Sequence, residues 1–239
     1  MERLAFLNAL TAGRRTFGRA DLRELRLSNQ VLEGVDLSGA DLRGAAFVAS
    51  RFYSVKLTGA IFDGASLRNA VFRDCDLSGA RFIDVEMAGA DFATSCLDEA
   101  DLRGAMNLNE AVLGGARLVC AMVSHQSLAD ANLQGADFTG ADLSHSDLCG
   151  AKLRTACFRH AALVEADLRR ADARDVCFEN ALLRDADLRE IVGERCDLRR
   201  ADLRGAKVHR AMLNGADLRD AILDGVDLTA SHVLGVITS

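Results

Sequence analysis

Three short runs decide the reading of this chain: Ala40-Asp41-Leu42-Arg43-Gly44, Ala136-Asp137-Phe138-Thr139-Gly140 and Ala216-Asp217-Leu218-Arg219-Asp220. Each has a small residue, an acid, a large apolar residue and two variable positions. Outward from the first run the same beat continues. Leu or Phe recurs every fifth residue from Phe17 through Leu42, Phe62 and Phe82 to Leu102. One extra residue at 105–107 shifts the frame. The series resumes at Leu108, Leu113 and Leu118 and runs to Leu228, with Val233 as its last member.

A period of five is neither helical nor that of a simple strand. Two inward residues flanking one outward residue make a short β-like segment, so the other two positions must turn the chain. Most of the 20 glycines fall two residues after the Leu or Phe, where a type II turn needs φ > 0. The chain contains no Pro, where average usage would give about twelve. Almost every backbone N–H is therefore expected to serve as a ladder donor.

The A-D/N-L-x-x pattern in these runs resembles the pentapeptide-repeat family, and the resemblance covers most of the chain. It implies an all-β solenoid: a right-handed quadrilateral parallel β-helix with four pentapeptides per coil. About eleven coils at ~4.8 Å each give a rod on the order of 50 Å long. Phe at twenty-residue spacing agrees with four sides: Phe52, Phe72 and Phe92; Phe62 and Phe82; Phe138, Phe158 and Phe178. Such columns let rings stack between coils. Ala173 and Gly193 occupy Leu positions twenty residues apart, and Ile191 is expected to fill the hollow they leave, with a groove for a partner residue as the sharper alternative.

The expected organisation is an N-terminal capping helix in 1–15, the solenoid in 16–233 and a tail in 234–239. Leu4, Leu7 and Leu10 fall on one side of the short helix, which Gly13 terminates. Laid over the first coil, it covers an open backbone edge. At the other end Leu234, Val236 and Ile237 fold over the last coil, or pair with the same end of a second chain to form a dimer.

Net charge is −6 with a pI near 5.4, which excludes a strongly basic nucleic-acid surface. Nothing resembles a signal peptide or approaches the roughly 18 apolar residues of a membrane helix, so the expected location is cytoplasmic. Seven scattered Cys without CxxC spacing read as reduced thiols. Cys157 and Cys177 are stacked neighbours, about 5 Å apart at Cα and within disulfide range.

No phosphate-binding, nucleophile-elbow or zinc-protease motif is present, and no cofactor is expected. Most Asp residues precede the central Leu, where they bond backbone groups at the turn. Many are followed two residues later by a neutralising Arg. His125, His145 and Glu165 stack along one corner. This reads as a solvated column, with Zn²⁺ binding as the sharper alternative.

Residues 106–150 form an acidic waist: Glu110, Asp130, Asp137, Asp142 and Asp147 against Arg117. Asp147, Asp167 and Asp187 should continue as a carboxylate ladder into an Arg-rich section. The resemblance implies two non-enzymatic functions. Some family members mimic B-form DNA, bind DNA gyrase or topoisomerase IV and protect them from poisons. Six net charges are few against the roughly thirty of duplex DNA over this length. Mimicry here would rest on a local patch, namely Asp137, Asp142, Asp147, Asp167 and Asp187. The alternative is a regulatory scaffold that docks on another cytosolic protein. The opening Ala12-Gly13-Arg14-Arg15-Thr16-Phe17 resembles that of bacterial, notably cyanobacterial, members of regulatory or unknown role.

Overall fold

The computed structural model describes residues 1–238. Its elements are α1 (Arg3–Thr11), three short strands β1 (Val31–Glu33), β2 (Arg51–Tyr53) and β3 (Val71–Arg73), and a 3-10 turn at Leu108–Glu110. β1, β2 and β3 pair in parallel, in register at twenty-residue spacing. Elsewhere nearly every pentapeptide contributes a single parallel rung, and the rungs fall on four walls. The first wall runs from Thr16–Asp36 to Asp217–Ile237, the second from Asp21–Asp41 to Asp202–Ile222. The third runs from Arg26–Ala46 to Asp187–Lys207, and the fourth carries β1 to β3 and ends at Met212–His232. The chain is a right-handed quadrilateral β-helix of about eleven coils.

Both backbone directions are used at each rung. Phe17 N donates to Asp36 O at 2.7 Å, and Asp36 N donates back to Arg15 O at 2.7 Å. Ala20 N closes the corner onto Phe17 O at 3.1 Å. The corner residue takes positive φ whether or not it is glycine: Arg170, Arg195 and Arg200 lie at 57–58°. Glycine placement is thus a weaker guide to corners than the sequence suggests. The left-handed region costs an L-residue roughly 1–2 kcal/mol. The next coil offsets that cost by accepting the corner N–H, as Arg219 O does for Arg200 at 3.0 Å.

Inside, Leu, Phe and Ala form one continuous core. Phe52, Phe72 and Phe92 stack at 4.5 and 4.8 Å, Phe62 on Phe82 at 5.1 Å, and Phe138, Phe158 and Phe178 at 5.0 and 5.4 Å. At Gly193 the expected hollow is occupied by Leu213 and Cys196, not by Ile191. Ile191 is buried, and a Cβ added at Gly193 would lie 3.0 Å from Leu213 Cδ2 and 3.4 Å from Cys196 Sγ.

α1 lies over the first coil with Leu7 and Leu10 of the expected stripe turned to the core and Leu4 turned away. Phe6 is fully buried on the Phe17 ring at 4.7 Å, with Leu7, Ala9 and Leu10 packed beside it, while Leu4 is 69% exposed. The large Phe6 ring claims the centre of the contact and rotates Leu4 outward. Gly13, at φ 89°, ends the helix: its N–H bonds Leu10 O, and Arg14 N bonds Ala9 O. At the opposite end the last rung reaches Ile237, four residues past Val233. Val236 packs against the core while Leu234 is 83% exposed. Ser239, the end of the expected tail, lies outside the described residues.

The frame shift is a one-residue insertion with its own repair. Met106 still pairs with Glu86, then Asn107 adopts φ 56° and the 3-10 turn brings Leu108 into the core. Val112 regains the fourth wall opposite Asp91, now 21 residues away. Among the described residues the third wall has no rung between Met106 and Ser127. The buried side chain of Gln126 closes the gap: with its amide assigned so that both bonds form, Nε2 donates to Ala105 O at 2.8 Å and Oε1 accepts from Gly104 N at 2.9 Å. A primary amide has the same donor and acceptor as a peptide group, so Gln126 stands in for the missing rung.

Candidate binding walls

Function must be sought on the outer walls, where each coil presents three outward positions per side. Five residues carry the chain around one corner, so sequence neighbours in the repeat face different ways. Asp137 is a rung of the first wall, Asp142 of the second and Asp147 of the third. The five carboxylates expected to form one patch therefore do not: the waist encircles the rod. Only Asp147, Asp167 and Asp187 share a wall, as consecutive rungs.

The waist carboxylates bond locally. Asp137 accepts from Thr139 N at 3.0 Å and Thr139 Oγ1 at 2.6 Å; Asp142 accepts from Ser144 N at 3.0 Å; Asp147 accepts from Cys149 N at 2.9 Å. None of the three has an ion-pair partner within 4.0 Å among the described residues. Further along, the same position is neutralised by an Arg two residues on. Asp167 meets Arg169 and Asp187 meets Arg189, both at 2.5 Å, while Arg169 also reaches Asp187 at 3.8 Å. On the first wall Arg199 holds Asp197 at 2.6 Å and approaches Asp217 at 3.8 Å. These walls are lattices of paired charge.

The pairing lowers carboxylate pKa values. Hydrogen bonds from Arg169 hold Asp167 below the usual range, and those from Arg199 do the same for Asp197. At Asp187 burial pulls upward, yet Arg189 and Arg169 give a net lowering. Asp172, bonded first by Arg174 and then by Arg154, falls to about 2. A carboxylate with a depressed folded-state pKa stabilises the fold above its unfolded value near 3.9, and that stability is lost as pH drops through the folded value. The melting temperature should hold from pH 7 to about 5 and fall steeply between about 4 and 2. Circular-dichroism melts across that range check this; an unchanged midpoint near pH 2 would contradict it.

His125, His145 and Glu165 do form a corner column. The two imidazoles stack at 4.7 Å and 9°, and His145 Nδ1 lies 3.4 Å from Glu165 Oε2. Parallel rings direct their nitrogen lone pairs side by side, not toward a common point, which disfavours a shared ion. Cys157 and Cys177 are adjacent rungs of the first wall, both half-buried free thiols. Gln126 escaped the sequence reading. Its signal was a lone Gln at an inward, normally small position, one coil past the frame shift.

The sequence profile for Pentapeptide repeats matches in 8 copies that cover residues 16–47, 50–87, 65–104, 107–138, 116–154, 156–189 and 194–232. No curated protein sequence matches the chain. Among solved structures, HetL is similar, a pentapeptide repeat protein involved in heterocyst differentiation regulation in the cyanobacterium Nostoc sp. strain PCC 7120. The two share 33% identity and a TM-score of 0.53 over 93% of this chain and 95% of HetL. QnrB1, a plasmid-mediated fluoroquinolone resistance protein, matches at 18% identity and TM-score 0.37 over 90% and 93% of the two chains. A pentapeptide repeat protein of the Arabidopsis thaliana thylakoid lumen matches at 22% and TM-score 0.30, over 52% of this chain and 65% of its own. With its repeat, its four-walled coil, the family profile and the similarity to HetL in agreement, the chain belongs to the pentapeptide-repeat family.

Proposed function

We propose that this protein is a non-catalytic docking solenoid that regulates another cytosolic protein by binding it along one wall. The observation that carries the reading is the paired charge of the walls. Asp167–Arg169, Asp187–Arg189, Asp197–Arg199 and Asp217–Arg219 present alternating sign at fixed spacing on a rigid surface. Such a surface loses little freedom on binding and selects a partner by charge register. The similarity to HetL, whose described role is regulatory, supports this reading.

One observation favours a second reading, a DNA mimic that occupies a type II topoisomerase: the carboxylates of Asp137, Asp142 and Asp147 lack cationic partners among the described residues. Their spread over three walls weakens it, because a nucleic-acid groove would meet them one at a time.

Photo-crosslinkers at Thr139, Ser144, Cys149 and Arg154 place one probe on each wall of a single coil. The docking reading expects one protein to be captured from one wall or two adjoining ones, with no effect on gyrase supercoiling or its poisoning at micromolar concentration. Capture spread evenly over four walls would sink it. Gyrase protection that disappears on combining Asp137→Asn, Asp142→Asn and Asp147→Asn would replace it with mimicry.

A further inference from the structure

The seven cysteines are spread along the coils, and two of them share a face. Cys75 and Cys196 are buried, Cys96 and Cys149 stand on different walls, and Cys120 is exposed at a corner with φ 57°. Cys96 N donates to Cys75 O at 3.0 Å, but Cys75 faces the core and Cys96 is an outward rung. Cys157 and Cys177 differ. They are in-register rungs of the first wall, one coil apart, both outward and both half-buried.

Ladder spacing of ~4.8 Å sets their Cα separation, inside the range of about 4.4–6.8 Å that a disulfide spans. The two sulfurs take the same bearing. Cys157 Sγ lies 3.3 Å from Thr139 Oγ1 and Cys177 Sγ lies 4.0 Å from Arg159 Nη2, in each case the outward side chain of the preceding coil. Opposed χ1 rotations turn one sulfur toward the other. Cβ atoms held near the ladder spacing are further apart than the ~3.5–4.5 Å of a relaxed disulfide, so the bond forms under some strain. Strained, half-exposed disulfides are the ones that cellular thiols reduce readily.

We propose that Cys157 and Cys177 are a redox-sensitive modification site, which hydrogen peroxide joins in a reversible disulfide between consecutive coils. One sulfur attacks the peroxide O–O bond, giving a sulfenic acid and one water. The other sulfur then displaces that oxygen, the S–S bond forms, and a second water leaves with the last proton. Two thiols and one peroxide thus yield one disulfide and two waters: the thiols lose two electrons and the peroxide gains them. A reduced thiol reverses the step by exchange. Burial, the largest influence on it, pushes the Cys177 thiol up, which assigns Cys177 the resolving role and Cys157 the first attack.

Thiols and disulfide are alike uncharged, so the Arg159–Glu179 pair at 3.0 Å and the charge pattern of the wall are kept. What changes is the hold between coils. A loop of about twenty residues becomes covalently closed, which restricts the unfolded chain and stabilises the folded one. The site is independent of docking, which needs neither sulfur.

The test treats the reduced full chain with a small molar excess of hydrogen peroxide, blocks the remaining thiols and maps non-reduced tryptic peptides by mass spectrometry. The expected product is residues 155–159 linked to residues 175–184, with two of the seven thiols lost and both recovered in dithiothreitol. The urea midpoint should rise on oxidation of the parent chain and stay unchanged on the same treatment of Cys157→Ser or Cys177→Ser. In Cys177→Ser a sulfenic acid should be trapped at Cys157 by dimedone. Survival of all seven thiols overturns the proposal, as does oxidation of either cysteine without a link, or a link between a different pair. A linked chain that dithiothreitol does not restore, or whose midpoint does not move, overturns it equally.

Discussion

Phe72→Ala should lower the unfolding free energy by about 3–5 kcal/mol, the range for truncating a buried aromatic ring. Phe72 is fully buried and lies between two parallel rings, Phe52 at 4.5 Å and Phe92 at 4.8 Å. Removing it deprives both neighbours of a contact face, and the rungs above and below fix the backbone so that the hole cannot collapse. In a solenoid each coil is held by its immediate neighbours, so the loss also weakens coupling between the coils on either side. Urea denaturation followed by circular dichroism should show an earlier and broader transition. Phe72→Leu, which keeps most of the volume, should lose less than half as much. A loss below about 1 kcal/mol for the alanine variant would mean that the ring stack is not a principal support of the core.

Gln126→Leu should cost about 2 kcal/mol although it keeps an apolar stem of similar size. The leucine cannot bond Ala105 O or Gly104 N, the two groups that the Gln126 amide satisfies. Ala105 is buried, so its carbonyl loses its partner without gaining water; Gly104 lies at an exposed corner and can be hydrated. The burden therefore falls on the carbonyl. Gln126→Glu separates a specific hydrogen-bonding role from simple packing. An ionised carboxylate can accept from Gly104 but cannot donate to Ala105, and it carries a buried charge. Its deficit relative to the parent protein should be larger at pH 7 than near pH 4.5, where protonation restores the donor. Equal deficits at both values would assign Gln126 a packing role only.

The beat of five was legible because it repeats without interruption for most of the chain, and the Phe columns fixed four sides through their twenty-residue spacing. The rod, its parallel rungs and its buried residues follow directly from that. The corners were less legible. A residue such as Arg195 carries no local sign that it will adopt φ 58°, because what offsets the strain is the carbonyl of Asn214, one coil away. The face of α1 was legible only in part for a related reason: Leu7 and Leu10 of the stripe pack inward, but the fit of Phe6 against Phe17 turns Leu4 out. Charge was the hardest part to place. Asp137, Asp142 and Asp147 are close in sequence and lie on different walls, whereas Asp147, Asp167 and Asp187 are distant in sequence and stand one above another.

That arrangement has a consequence for how such a molecule can change over generations. Because the interior sees only the small residue and the Leu or Phe, substitutions at the outward positions of one side leave the other three undisturbed. Each side can drift or be selected separately, like four inscriptions on a single post. Adding or losing one whole pentapeptide, by contrast, would turn every later inscription by a quarter. The one-residue slip at 105–107 is absorbed without any such turn, beside a glutamine that mends the seam.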